Sequence, residues 1–331
     1  MKKRILSGIT PSASYLHIGN YFGAIKPHID LQNEGNEVYY FIADLHALTT
    51  VQDKDVLREN IRGVARDYLS LGLDPQKSVF FRQSDVPAHS QLAVVLANYT
   101  SYGQMQRMHA FKDKLQKGFD KESVNMGLFN YPILMAADIL AYKPDGVPVG
   151  EDQRQHVELA RDIAEKFNKT YGKEVFPLPE PVISKKTGVI VGTDGKRKMS
   201  KSLGNIIGIF DDPKEIEKQI MGTFTDPKRI KPTDPGVVEG NPVFIYHELI
   251  NEDKEEVADL KKRYIEGKVG DVEVKEKLIS AHKKTFSSAR EKRESLKNSP
   301  KEIDEILKEG AQKACEVAGK TLSEVYEIIG I

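Results

Sequence analysis

The sequence is short of several residues that announce a chemistry by themselves. It holds one cysteine, Cys315, so an internal disulfide is excluded, as is any zinc or iron–sulfur site built from cysteines. That usage suits a reducing compartment. There is no excess charge of either sign, with 49 Lys and Arg against 49 Asp and Glu. A nucleic-acid partner would therefore have to be met by a local basic face. No apolar run approaches the roughly 18 residues of a membrane-spanning helix. After the basic start Met1-Lys-Lys-Arg4 come Gly8, Pro11 and several hydroxyls in place of an apolar segment, so no secretory leader is read there and the cytoplasm is the expected location. Tryptophan is absent, which chance explains in 331 residues. What is present, 39% hydrophobic residues over that length, is too apolar for a disordered chain and suffices for one large or two moderate globular domains.

The first two-thirds alternate short β-rich runs with amphipathic helical patterns, as parallel βαβ units do. ILSGI at 5–9, VYYFIAD at 38–44, SVFFRQS at 78–84 and GVPVG at 146–150 read as strands, with VIVG at 189–192 as a fifth. Between the second and third, Ile61, Val64, Ala65, Tyr68 and Leu69 share one helical face and Gly72 stands at the stop, so a crossover helix is expected. The stretch of about 100–142 is helical in character and reads as an insertion. Beyond Gly208 strand patterning fades. Asp212 with Pro213 and Glu215, and Ser299 with Pro300 and Glu302, form capping-box starts, the second followed by Ile303, Ile306 and Leu307 at helical spacing. The expected fold class is α/β: a doubly wound parallel sheet with a helical insertion over 1–207, then an α-helical domain over 208–331. The Pro-, Gly- and Asp-rich stretch 225–242 is its long connection.

Two strings carry the chemistry. Gly192-Thr-Asp-Gly-Lys-Arg-Lys198-Met199-Ser200-Lys201-Ser202 is a glycine-containing loop ending in two lysines three apart. Such lysines can neutralise a polyphosphate whose charge grows as a bond to phosphorus breaks. A basic loop of this kind is also, taken generically, a solvated turn. The pentapeptide KMSKS shifts the balance, because it arises by chance in about one such chain in 10⁴. The second string follows the first strand, with Thr10, Pro11 and Ser12 and then Leu16-His17-Ile-Gly19-Asn20. A strand running through a Gly/Pro/Ser loop into a helix start aims backbone N–H groups at an anion. His17 adds a donor, and Gly19 removes a side chain that would block a purine. Alone, a histidine at a helix start such as His17 is more often a cap or a satisfied surface histidine.

Together these strings resemble the signatures of the class I aminoacyl-tRNA synthetases, a HIGH-type sequence (here HIGN, ending in Asn20) and KMSKS. Within the class the chain resembles the bacterial tryptophanyl-tRNA synthetase family nearly end to end, through GNYFGA at 19–24, ADLHALT at 43–49, YPILMAADIL at 131–140 and VPVGEDQRQHVELARDIAEKFN at 147–168. The resemblance implies a Rossmann-type catalytic domain, a helical tRNA anticodon-binding domain and a homodimer without a membrane. It implies ATP, L-tryptophan and tRNA(Trp) as partners, Mg²⁺ arriving with ATP, and neither an iron–sulfur cluster nor zinc. It implies an ATP site of Thr10, Pro11, Ser12, His17, Gly19, Asn20, Gly150, Glu151, Asp152, Val189, Lys198, Met199, Ser200, Lys201 and Ser202, with Lys198, Lys201 and Thr10 in catalysis. For tryptophan it implies Leu6, Gly8, His46, Tyr131, Met135, Asp138, Val149 and Gln153.

Indole N–H is a donor and nothing else, so a selective pocket needs one buried acceptor and apolar walls. The resemblance gives that part to Asp138. Related tyrosyl enzymes carry Gln where this chain has Met135, which favours indole over phenol. Without family context Asp138 is the polar edge of an amphipathic helix, and Glu151 and Asp152 are acids opposing a helix dipole. For Asp44 and His46, pocket floor and strand-end hydrogen bonding stand level. Lys261, Lys262, Lys283, Lys284, Arg290 and Arg293 could meet phosphates, though they alternate with acids as on any solvated helix. The chain departs from the family at Thr10, usually Gln, at Leu6, often aromatic, and in a loop before His17 that is one residue longer. A tyrosyl ligase, a catalytically silent RNA-binding relative and an HxGH adenylyltransferase are the competing readings. The last has no account of YPILMAAD.

Overall fold

The computed structural model describes residues 2–11, 16–108, 125–183, 190–227, 229–231 and 233–331, and of Asp152 the backbone alone. Five parallel strands, β1 (Arg4–Ile9), β2 (Glu37–Ile42), β3 (Ser78–Arg82), β4 (Gly146–Pro148) and β5 (Glu180–Val182), lie in the order β3-β2-β1-β4-β5. Strands buried on both faces read as continuous apolar runs, and β2 is buried at five of its six positions. Register is set by pairs such as Leu6 with Tyr39 and Gly8 with Phe41. The expected strands at 5–9, 38–44, 78–84 and 146–150 are thus in place. The expected fifth differs: within 189–192, Val189 lies outside the described residues, and Val191 makes an isolated antiparallel bridge with Lys198. A short apolar run does not distinguish a hairpin arm from a sheet strand.

The helices are α1 (Ile18–Asn20), α2 (Lys26–Asn33), α3 (Asp44–Ala47), α4 (Lys54–Ser70), α5 (Ala88–Ala97), α6 (Tyr102–Arg107), α7 (Met126–Tyr142), α8 (Arg154–Tyr171), α9 (Pro213–Met221), α10 (Pro242–Ile250), α11 (Lys254–Ile265), α12 (Asp271–Lys297) and α13 (Pro300–Ile329). The crossover α4 starts where the Asp53 carboxylate accepts from the N–H groups of Asp55 and Val56. It stops at Gly72, whose φ of +117° only glycine adopts without strain. Asp212 caps α9 through the N–H of Lys214 with Pro213 in the first turn, whereas Ser299 makes no side-chain cap bond to α13. Proline in the first turn already removes one donor that a cap would serve.

The chain forms two compact units. One comprises Met1–Ser14, His28–Ser184 and Leu296–Ile331, and the other Tyr15–Pro27 and Lys185–Ser295. In the first, Leu6, Phe41, Phe81, Leu92, Leu140, Ile163 and Val325 belong to one core that joins the sheet to α5, α7, α8 and α13. Among the described residues no helix is long and apolar enough to cross a membrane.

Candidate functional site

In the sheet unit, β1 and β4 are neighbours although β2 and β3 intervene in sequence. Strand order reverses at their seam, and parallel α/β sheets bind ligands outside the carboxyl ends of the strands at such a point. The Ser7 hydroxyl donates across this seam to the Pro148 carbonyl at 3.2 Å. A Cβ on Gly8 would stand 2.8 Å from the Phe41 ring, so glycine is required there and leaves the surface open. Thr10 is exposed and Pro11 buried just past β1; beyond β4, Val149 is half-buried and Gly150 exposed. Leu6 is 1% exposed, inside the core. The Glu151 carboxylate is held by Arg154 at 2.6 and 3.0 Å, a hydrogen bond that lowers its pKa. Glu151 and Gln153 bound a one-turn 3₁₀ helix that precedes α8. Ser12, Val189 and the Asp152 side chain lie outside the described residues.

Helix α7 begins at an Asn125 cap and carries Tyr131, Met135 and Asp138 at i, i+4 and i+7, hence on one face. Tyr131 and Met135 are half-buried while Asp138 is 1% exposed. The Asp138 carboxylate is fully hydrogen-bonded. Oδ1 accepts from Gln83 Nε2 at 2.8 Å and from His89 Nδ1 at 2.6 Å; Oδ2 accepts from His46 Nε2 at 2.8 Å and Gln83 Nε2 at 3.0 Å. Burial opposes the charged form, yet the bonds from His46 and His89 prevail and hold the pKa at about 2. Asp138 is therefore an anion at neutral pH. The His46 ring meets Tyr131 edge-on at 6.0 Å, and Tyr131 Oη lies 2.8 Å from His156 Nε2. Asp44, at the first turn of α3, accepts from the Leu45 and Ser84 N–H groups and from the Ser84 hydroxyl, so it joins two loops. The structure brings His46, Tyr131, Met135 and Asp138 together. Gln83 and His89 are additions that the sequence did not signal, since 55 and 49 residues separate them from Asp138.

In the other unit the two signature strings are paired. The N–H of Ile18 donates to Ile207 at 3.0 Å and that of Ile209 to Leu16 at 3.0 Å, so the HIGN segment lies beside the chain that leaves the KMSKS loop. His17 and Asn20 cap each other: Asn20 N–H donates to His17 Nδ1 at 3.3 Å and His17 N–H to Asn20 Oδ1 at 3.2 Å. An accepting Nδ1 puts the ring proton on Nε2. Burial and then the Lys198 charge push the His17 pKa down to about 4, so the ring is neutral. A Cβ on Gly19 would lie 2.8 Å from His17 Nδ1 and 3.3 Å from Met199 Cβ. Met199 is buried, whereas Lys198, Lys201 and Ser202 are exposed, with the Ser200 and Ser202 hydroxyls 3.0 Å apart. The loop presents lysines outward while methionine anchors it.

The chain matches the family model for tRNA synthetases class I (W and Y) over residues 1–287. The tryptophan–tRNA ligase of Fusobacterium nucleatum is 44% identical over 329 residues, covering 99% of this chain and 98% of its own. That of Thermotoga maritima is 42% identical over 329 residues, covering 99% of each. The structure of the Campylobacter jejuni tryptophanyl-tRNA synthetase complexed with ADP and tryptophan superposes with a TM-score of 0.90 at 43% identity, covering 99% of this chain and 100% of that one. With matches of this extent, the chain belongs to the class I tRNA synthetases of the W and Y group, among the tryptophan–tRNA ligases.

Proposed function

We propose that the protein joins L-tryptophan to tRNA(Trp) in two steps. The tryptophan carboxylate attacks the α-phosphorus of ATP and expels pyrophosphate, giving tryptophanyl-adenylate. A 3′-terminal hydroxyl of the tRNA then takes the aminoacyl group and AMP leaves. The observation that carries the reading is the anionic, wholly buried Asp138 on the face of α7 that also presents Tyr131 and Met135. A buried acceptor without a donor of its own suits a ring whose polar group only donates, and phenylalanine, which has no N–H, gains no hydrogen bond from it.

A carboxylate is already a nucleophile, so the first step needs positioning and charge neutralisation more than a protein base. Lys198 and Lys201 would stabilise the departing pyrophosphate, and His17 Nε2–H would donate to a phosphate oxygen. Thr10 and the Gly150 backbone would line the nucleotide. Among the described residues no three His, Cys, Asp or Glu side chains gather to hold a metal, so Mg²⁺ is read as part of the MgATP substrate.

The helical region 208–331 is our candidate for reading the anticodon, with exposed Lys262, Lys283 and Lys284 available to phosphates. A homodimer is proposed from the family resemblance. We place the enzyme in the cytoplasm, with its tRNA. Amino-acid-dependent ATP–pyrophosphate exchange across all twenty amino acids tests the assignment. Tryptophan alone should support exchange, and exchange with tyrosine in its place would overturn it.

A further inference from the structure

A carboxylate offers about four lone-pair positions, and those of Asp138 are taken by Gln83 twice, His89 and His46. A further donor enters only by displacing one of these. Two are locked from behind. The His89 side chain is 0% exposed, and its Nε2 accepts from the Tyr142 hydroxyl at 2.8 Å; Gln83 is 0% exposed, and its Oε1 accepts from the Leu45 N–H at 3.2 Å. Moving His89 would strand the buried Tyr142 hydroxyl, and moving Gln83 would break its bond to the Leu45 N–H, which Asp44 also accepts. His46 alone has access to solvent, its side chain 15% exposed on the four-residue helix α3. A ring that swings away from Oδ2 can exchange its hydrogen bond for one to water.

We propose that His46 is a displaceable occupant of the tryptophan pocket: its ring N–H holds the Asp138 Oδ2 position until the indole N–H replaces it, while Gln83 and the Tyr142-backed His89 hold the carboxylate in place. His46 and His89 thus become specificity-determining residues of opposite effect. The inference rests on the reading that Asp138 receives the indole N–H.

The test compares L-tryptophan with 3-(benzothiophen-3-yl)alanine, which keeps the shape and loses the donor, by ATP–pyrophosphate exchange. Because the protein contains no tryptophan, fluorescence of the added tryptophan gives binding independently. His46→Leu empties the Oδ2 position, so KM for tryptophan should fall about tenfold with little change for the isostere. His46→Gln, which keeps an N–H, should return toward the parent value. His89→Leu frees the carboxylate and should raise KM for tryptophan about tenfold, again with little change for the isostere. His89→Asn, whose amide stands near the position of Nδ1, should restore it. Equal changes for both amino acids in the His46 and His89 variants, or none, would overturn the proposal. If Asp138→Asn itself leaves the preference for tryptophan over the isostere intact, the substrate reading fails first. If that variant loses the preference while His46→Leu and His89→Leu keep it, only the present inference fails.

Discussion

The side-chain amide of Asn205 donates at 3.1 Å to the carbonyl of Lys198, and its Oδ1 accepts from the Ser200 N–H at 2.8 Å. The same Nδ2 reaches Asp194 Oδ2 at 3.1 Å, and a Cβ on Gly192 would come 2.1 Å from it. One buried amide therefore braces the loop that carries Lys198 and Lys201 from inside. Asn205→Ala should lower kcat for adenylate formation by about ten- to a hundredfold, because the lysines lose their fixed approach to the leaving group. KM for tryptophan should change by less than about threefold. Exchange kinetics with each substrate varied in turn make the separation.

Three buried histidines set the acid limit of the fold. Burial brings His17, His28 and His282 down to about 4, with the Lys198 charge adding at His17 and the Arg290 charge at His282. An unfolded histidine takes its proton near pH 6.5. Between these values the unfolded chain binds more protons than the folded one, so stability is complete above about 6.5 and is lost as pH falls toward 4. We expect Tm to drop by about 10 °C or more from pH 7.5 to pH 4.5. Asp138, held at about 2, stays charged throughout this window. The His28 ring stacks on Tyr40 with centroids 4.7 Å apart, and among the described residues its Nδ1 has no hydrogen-bond partner. His28→Phe should keep the stacking and flatten the pH dependence, as thermal melts across that range would register.

Four of the five strands could be read from the chain because doubly covered parallel strands are uninterrupted apolar runs. The fifth, Glu180–Val182, has only Val182 as an ordinary strand former and holds Pro181, tolerated because β5 is a sheet edge with one neighbour. KMSKS and HIGN were legible because each is contiguous. Asp138, with His46, Tyr131 and Met135, could be singled out only through the resemblance, and its other two partners could not be read at all. Gln83 sits in a 3₁₀ turn after β3 and His89 on α5, positions that only the folded sheet brings to α7. Tyr142 stands i+4 from Asp138 on the same helix, yet it connects to it through His89.

The Lys275 ammonium is buried in the α12 unit and gives its three protons to the Met221 and Thr223 carbonyls, at 2.9 and 2.6 Å, and to the Thr225 hydroxyl at 2.9 Å. Burial lowers its pKa. Between those threonines the Phe224 N–H donates to Thr193 at 2.7 Å, which ties the lysine to the start of the KMSKS loop. Lys275→Met fills the space but leaves carbonyls unmet, so it should cost about 3 kcal/mol in urea unfolding. Lys275→Arg should not rescue it, because a planar fork does not fit three acceptors arranged for an ammonium. Rescue by arginine would show that charge, not geometry, matters there.

Helix α13 lies against β3 at backbone distance. A Cβ on Gly310 would stand 1.9 Å from the Phe80 carbonyl oxygen and 2.6 Å from its carbon. Ala311, Ala314 and Ala318 continue the small-residue surface and are buried. Alanine is the better helix former by about 1 kcal/mol, but at Gly310 the methyl would collide with backbone that cannot rotate away, and overpacking of this kind costs about 3 kcal/mol. Gly310→Ala should therefore destabilise by about 2 kcal/mol net. Gly319 is on the same helix with nothing within 4 Å of the corresponding position. Gly319→Ala should stabilise by up to about 1 kcal/mol. Opposite shifts of the denaturation midpoint in the two variants are the expected result; destabilisation in both would mean that helix flexibility, and not the close approach to β3, dictates glycine at Gly310.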